Sequence, residues 1–280
     1  MPGIVWLASY PKSGNTWLRA FLCNLLANED HPLSINSLHE LVPSASNGRV
    51  YQQFTDKDPA ELTPEELARI RPLVHRAIAD RSSQPVFLKT HTFLGTSHGV
   101  PTITPEATAG AIYIVRNPLD VCQSLSGHNR IATDIAVEGM GDDYAEQRSI
   151  DAGYVNDPVR SWSINVKSWT RISDPKVKVV RYEDMVNDEY STFQEIAEFL
   201  GLGVSENQIR KALKFSSIDE LRKQEKSTEF VERNKTSSEP FFGEGRTGQW
   251  KSKLSPDQVK KIVDVHREQM ARFDYVPAEM

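Results

Sequence analysis

The sequence predicts an α/β fold, a single domain with a central, mostly parallel sheet flanked by helices. Two observations carry this expectation. Four short runs, at residues 4–8, 85–89, 111–115 and 177–182, are mostly continuous in apolar residues. Parallel strands covered on both faces read that way, whereas a half-exposed sheet alternates apolar and polar positions. Helical periodicities stand between these runs, and strands alternating with helices build βαβ units. At 280 residues, with 39% hydrophobic and 25% charged, the chain can bury a sizeable core in one large domain or two small ones. It carries no internal repeat, low-complexity tract or linker, so one domain over residues 1–280 is expected.

The elements follow in order. The first run, IVWLA, leads into a helix at 16–26. A second helix, 63–81, opens with Thr63 as N-cap, Pro64 at the first helical position and Glu66 where a capping box needs it. It precedes PVFLK. AIYIV is followed by the helical PLDVCQSLSGH, and VKVVRY by a helix at 191–202 that ends at Gly201 and Gly203. A last helix, 255–273, has Ser255 as N-cap and Pro256 behind it. Residues 30–60 and 126–158 are polar and show no clear period. Long segments of that kind are functional lids or disordered.

Charge narrows the function. A net charge of −5 argues against nonspecific binding to nucleic acid or an anionic membrane, so any polyanion must meet a local cluster of cations. Cys23 and Cys122 are far apart and indicate neither a disulfide framework nor a metal site. The first strand begins by about residue 4, which leaves no room for a signal peptide. No apolar run approaches the roughly 18 residues of a membrane span. A cytoplasmic protein is expected.

Between the first strand and first helix stands YPKSGNTW, residues 10–17. Backbone N–H groups and hydroxyls at a helix start form an anion cradle. The turn is not a Walker A loop, because Lys12 precedes Gly14, nor is it a G-x-G-x-x-G turn. An ordinary βα loop with a solvated lysine is the alternative.

YPKSGNTW resembles the 5′-phosphosulfate loop of the sulfotransferases that use 3′-phosphoadenosine 5′-phosphosulfate (PAPS), a P-loop-kinase-like fold. The likeness continues in order along the chain. KTH at 89–91 resembles the catalytic Lys-x-His, and IYIVRNPLDVCQS at 112–124 the 3′-phosphate motif. RYEDM at 181–185 resembles the fourth-strand motif, and GRTGQWK at 245–251 the C-terminal glycine-rich loop. The chain thus resembles the cytosolic type, in a bacterial-like form.

The resemblance implies sulfuryl transfer from PAPS to a hydroxyl or amine of a small-molecule acceptor, with no metal. It implies His91 as base, Lys12 at the bridging oxygen, Lys89 at the transferring sulfonyl oxygens, and Ser124 as a hydroxyl for the 3′-phosphate or for Lys12. Donor contacts would come from Lys12, Ser13, Gly14, Asn15, Thr16, Trp17 (stacked on adenine), Arg116 and Ser124 (3′-phosphate), Tyr182, Ser216, Gly245 and Arg246. For Arg116, a strand-to-helix turn with Asp120 as its partner is the alternative; for RYEDM, a strand end held by an Arg181–Asp184 pair.

The chain departs from the pattern at Gly243-Glu244-Gly245, where the family supplies an Arg-Lys pair, and Arg246 follows as the nearest cation. Asn15 replaces the commoner threonine. The dimer motif of many eukaryotic members is not legible in KSKLSPDQVKK, which leaves the oligomeric state open. The early first strand suggests an open site for a large or polar acceptor, such as a bacterial natural product. An ATP-dependent small-molecule kinase and a noncatalytic nucleotide-binding protein remain alternatives; the missing Walker A loop opposes the first.

Overall fold

The computed structural model describes residues 3–147, 153–171, 174–233 and 240–280. Strands β1 (Ile4–Ser9), β2 (Val86–Thr90), β3 (Thr108–Val115) and β4 (Val177–Arg181) form one sheet in the order β2-β1-β3-β4. β1 and β2 run parallel, with Ile4 opposite Val86 and Ala8 opposite Thr90. The helices are α1 (Asn15–Ala27), α2 (Pro64–Ala79), α3 (Pro118–Asn129), α4 (Thr133–Gly141) and α5 (Trp162–Thr170). They continue with α6 (Tyr182–Asn187), α7 (Glu189–Phe199), α8 (Glu206–Phe215), α9 (Ile218–Ser227) and α10 (Pro256–Arg272).

Every residue of β1 is buried, as are six successive residues of β3, whereas β2 and β4 are half-exposed. Strand order explains the contrast: β1 and β3 are central, and β2 and β4 are the edges. Lys178 sits on the β4 edge, where a charged side chain is tolerated and blunts further strand pairing; at Lys89 the outer side of β2 meets Ser44 in an isolated parallel bridge. The capping signals act as the sequence indicates. Thr63 with Glu66, and Ser255 with Gln258, each form a reciprocal capping box, with Pro64 and Pro256 at the first helical positions.

The segment 126–158 is less irregular than its composition suggests. It contains α4 and a short antiparallel ladder of Glu146–Gln147 with Asp157–Pro158; residues 148–152 lie outside the described residues. Gly139 and Gly141 lower the helix propensity of α4 and dilute its period, but Ala136, Val137 and Met140 bury one face. In 30–60 the backbone forms short helical turns, including Leu38–Leu41 and Gly48–Tyr51. Helices α5, α8 and α9 carry no sequence expectation above, although Ser161, Ser205 and Ser217 each cap one of them.

The chain divides into two compact units: Met1–Tyr10, Val42–Tyr113 and Asp142–Val179 in the first; Pro11–Leu41, Ile114–Gly141 and Val180–Met280 in the second. In the second unit, Phe21 of α1 meets Phe193 of α7 with ring centroids 4.5 Å apart. In the first, Trp6 donates from Nε1 to Thr108 Oγ1 at 2.9 Å and meets the His75 ring edge-on at 4.8 Å. His75 is buried, with Nδ1 2.9 Å from Thr104 Oγ1.

Burial, followed by the nearby Arg71 charge, lowers the His75 pKa from 6.5 to about 3. The unfolded chain therefore binds a proton there that the folded chain refuses, and stability present above pH 6.5 is lost as pH falls from 6.5 toward 3. His75→Asn should flatten this acid loss. Urea midpoints between pH 6.5 and 4 check it: the wild-type midpoint should fall more steeply than the variant's.

Candidate active site

In the second unit, the chain leaves β1 through a turn with two left-handed residues, Lys12 at φ 64° and Gly14 at φ 102°. For a lysine that conformation costs on the order of 1 kcal/mol. Arg116 holds it in place, donating from Nη1 to the Lys12 carbonyl at 2.9 Å. A Cβ at Gly14 would lie 2.6 Å from Tyr182 Cδ2, so the Tyr182 ring as well as the backbone angle demands glycine. Gly14 is also the N-cap of α1. It offers no side-chain cap, and the first turn carries no acidic residue. The positive end of the helix dipole is left uncompensated.

Arg116 is 8% exposed, and its guanidinium lies 4.2 Å from the centroid of the Tyr182 ring. Tyr182 meets Trp17 edge-on at 6.1 Å, and Trp17 packs on Phe193 at 5.3 Å. Among the described residues, three buried donor atoms here have no hydrogen-bond partner: Ser13 Oγ, Trp17 Nε1 and Arg116 Nε. Each can donate, and each costs free energy while unmade. A ligand rich in acceptor oxygens and nitrogens fits that donor set. Asn15 is buried, and Thr16 and Ser124 are half-buried. The Lys12 ammonium lies 4.4 Å over the Phe241 ring.

Two carboxylates organise the backbone around Arg116. Asp120 is not its partner. It accepts from the amides of Gly248 at 2.7 Å and Trp250 at 3.1 Å, tying α3 to the glycine-rich loop. Glu183 accepts from the Asn117 amide at 3.0 Å and from the Tyr275 hydroxyl. The Arg181–Asp184 pair is a 3.9 Å surface contact, so Glu183 is the member of RYEDM that holds the turn after Arg116. These roles, and the place of Phe241, went unread in the sequence. Asp120 and Glu183 stand inside motifs, but nothing in a motif says which backbone amide a carboxylate will reach.

Gly245 and Gly248 have φ of 66° and 73°. Arg246 is 78% exposed and lies 3.8 Å from Glu244, a surface pair worth little by itself. Ser216 is fully buried, and its hydroxyl donates to the Ala212 carbonyl at 2.9 Å, at the end of its own helix. Ser217 caps α9 by accepting from the Glu220 amide.

In the first unit, β2 carries Lys89 at its edge and His91 just beyond its end. His91 Nδ1 lies 2.8 Å from the Ser9 carbonyl. A carbonyl only accepts, so Nδ1 carries a proton, and in the neutral ring Nε2 holds the lone pair. That is the tautomer a general base needs. The His91 backbone is fixed as well: Asn165 donates from Nδ2 to the carbonyls of His91 and Val159 at 2.9 and 2.8 Å, and accepts from the Tyr113 hydroxyl at 2.8 Å.

The family model of the sulfotransferase domain matches residues 2–274. The chain belongs to the sulfotransferase family. Among its relatives, cytosolic sulfotransferase 12 of Arabidopsis thaliana is 26% identical over 91% of this chain and 74% of its own length. Sulfotransferase 2A2 of Mus musculus is 24% identical over 95% of this chain and 84% of its own. Two solved structures share the fold at 18% identity. Mouse sulfotransferase SULT7A1, complexed with PAP, superposes with a TM-score of 0.62, covering 99% of this chain and 90% of that one. Retinol dehydratase, in complex with androsterone and the inactive cofactor PAP, gives 0.63 over 100% and 84%.

Asp120→Asn removes one of two charge-assisted acceptors from the glycine-rich loop of this sulfotransferase, a loss of about 1.5–3 kcal/mol. Hydrogen exchange at the Gly248 and Trp250 amides should quicken by about tenfold or more, with the α7 amides unchanged.

Proposed function

We propose that the donor of this sulfotransferase is PAPS, and that residues 1–280 act as one catalytic domain on a small-molecule hydroxyl or amine. The observation that carries the reading is the unpartnered donor set of Ser13, Trp17 and Arg116 around an uncapped helix start. When bound, the donor supplies an activated sulfuryl group on a phosphate leaving group. Lys12, aided by Ser13, Gly14, Asn15 and Thr16 around the 5′-side oxygens, stabilises charge at the oxygen where the S–O bond breaks. Arg116, with Ser124, grips the 3′-phosphate through a fork of charge-assisted hydrogen bonds. Trp17 and Tyr182 hold the adenine side, and Ser216 shapes that side from the end of α8. Gly245 and Arg246 close the 3′-phosphate set, Arg246 exchanging its surface pairing with Glu244 for the phosphate.

Lys89 holds the sulfonyl oxygens as they are transferred. Nε2 of His91 takes the proton of the acceptor as the new S–O or S–N bond forms. The reaction so described requires no metal. Retinol and androsterone are the small molecules in the solved structures of retinol dehydratase, and they support an acceptor of that size. No helix among the described residues is long and apolar enough to cross a membrane. The buried free thiols of Cys23 and Cys122 fit a reducing cytoplasm.

Mass spectrometry of a PAPS incubation with 2-naphthol, hexanol and tyramine tests the reading: one acceptor should gain one sulfuryl group, and none should gain a phosphoryl group from ATP–Mg²⁺. Thermal shift adds a second readout, since adenosine 3′,5′-bisphosphate should raise the melting temperature and ATP–Mg²⁺ should not.

His91→Ala should lower turnover by about 10²–10⁴-fold and leave bisphosphate affinity unchanged, because it removes only the base. Near-normal turnover in a folded variant would reject that role.

Arg246→Ala should weaken bisphosphate binding by about 1.5–3 kcal/mol and affect adenosine 5′-phosphosulfate, which lacks the 3′-phosphate, far less. Arg116→Ala should weaken both, because its guanidinium also holds the Lys12 carbonyl of the 5′-side loop. Calorimetry with the two nucleotides reads the difference; equal losses in Arg246→Ala would mean a general loop effect.

A further inference from the structure

A tyrosine near the end of the chain reaches the turn that carries Arg116. Tyr275 stands one residue past the span 2–274 that the family model matches, and it belongs to none of the sequence motifs. The end of α10 places it. After Arg272, Phe273 caps the helix and Asp274 takes a left-handed φ of 58°. The Tyr275 amide returns to the Met270 carbonyl at 2.9 Å, and the Asp274 amide to the Ala271 carbonyl at 3.4 Å. These are the two bonds of a Schellman motif, in which glycine is the usual left-handed residue. An aspartate tolerates that angle better than most side chains. The reversal ends α10 abruptly and leaves Tyr275 buried, 4% exposed.

There its hydroxyl donates to Glu183 Oε2 at 2.5 Å. The other carboxylate oxygen, Oε1, accepts from the Asn117 amide at 3.0 Å. Asn117 follows Arg116 directly and caps α3, its Oδ1 accepting from the Leu119 amide at 3.0 Å. Glu183 in turn follows Tyr182, whose ring centroid lies 4.2 Å from the Arg116 guanidinium. One carboxylate thus joins the backbone next to Arg116 to the residue next to its aromatic support, and Tyr275 ties that carboxylate to a third segment. Burial, then the Glu183 charge, raises the Tyr275 pKa, so the hydroxyl keeps the proton it donates. Arg181 lies 5.1 Å from the centroid of the Tyr275 ring, a contact that a phenylalanine would keep.

We propose that Tyr275 is a positioning residue for Arg116: through Glu183 it locks the Arg116–Asn117 turn against Tyr182, so that the guanidinium is aimed at a 3′-phosphate before the nucleotide arrives. This rests on the reading of Arg116 given above. A two-pronged charge-assisted contact depends on direction as well as distance, and it weakens when the main chain behind it can shift. The Arg116 bond to the Lys12 carbonyl does not involve Tyr275 and keeps the 5′-side loop in place. Loss of the Tyr275 hydroxyl is therefore felt at the 3′-phosphate.

Tyr275→Phe removes the hydroxyl and keeps the ring. Calorimetry with adenosine 3′,5′-bisphosphate and with adenosine 5′-phosphosulfate reads its effect, with a urea midpoint to establish folding. Bisphosphate affinity should fall about five- to twentyfold, and 5′-phosphosulfate affinity less than about twofold. In a Glu183→Ala background the same substitution should change bisphosphate affinity by less than about twofold, because the group it acts through is gone. Glu183→Gln is the second variant, should Tyr275→Phe not fold. Its amide offers one acceptor oxygen to two donors, and the loss should again be larger for the bisphosphate. Unchanged bisphosphate affinity in Tyr275→Phe overturns the proposal. Equal losses for the two nucleotides in either variant do so too, since they would show a general loosening of the fold. So does an equal loss with and without Glu183, which would exclude the route through the carboxylate. If Arg116→Ala binds bisphosphate as the wild type does, the assigned role of Arg116 fails and the positioning claim fails with it. If Arg116→Ala is weakened and Tyr275→Phe is not, only the positioning claim fails.

Discussion

The hydrogen bond from Arg116 to the Lys12 carbonyl is the joint on which the proposed nucleotide cradle of the second unit depends. It fixes a left-handed lysine that the chain would otherwise avoid, and that backbone angle sets the direction in which Ser13, Gly14 and the start of α1 face. The same guanidinium is stacked on Tyr182, a desolvated cation–π contact worth about 2 kcal/mol. The Tyr182 ring in turn leaves no room for a Cβ at Gly14. One arginine thus links the first turn, the 112–124 motif and the 181–185 motif. Their ordered recurrence in the sequence reflects one packed cluster in the fold.

An acidic chain that must hold a polyanion has an electrostatic difficulty, and its carboxylates resolve it locally. Burial raises the Tyr182 pKa, the Arg116 charge opposes the rise, and Glu183 and Asp120 add to it, so both carboxylates act on the ring that carries the guanidinium. Asp120 is satisfied by the Gly248 and Trp250 amides, and Glu183 by the Asn117 amide and the Tyr275 hydroxyl. Neutral donors absorb the negative charge, and among the described residues no carboxylate forms an ion pair with the Arg116 guanidinium. The same bonds brace the elements that a bound anion would pull together, so cradle geometry and cradle charge come from the same side chains.

Much of this was legible in the sequence. β1 and β3 read as buried strands because they are central, α2 read as a helix from its capping box, and α10 from its Ser255 N-cap and Pro256. The turn at residues 10–17 and the Lys-x-His at 89–91 stood out as local motifs, the first at a βα turn and the second at a strand end, where the structure has them. Legibility ends where function depends on contacts between distant segments. Glu183 could be placed in a motif, but its bond to Asn117 spans 66 positions. The Ser9–His91 contact that sets the tautomer spans 82. α4 was obscured for another reason, since its glycines weaken the local period while tertiary burial of Met140 and Val137 holds the helix. Ser216 illustrates the converse: a hydroxyl in a family-like position is bonded to its own helix, which no residue identity reveals.

The two units meet buried charge differently. In the second unit, carboxylates are matched to amides and a hydroxyl, and the Arg116 guanidinium rests on the Tyr182 ring. In the first, Asp157 is buried and accepts from the Thr92 hydroxyl at 3.2 Å, and burial raises its pKa above the ordinary carboxylate value, opposed first by the Arg71 charge. A carboxylate withdrawn from water in this way carries a desolvation cost, which in the second unit the amide donors to Asp120 and Glu183 offset.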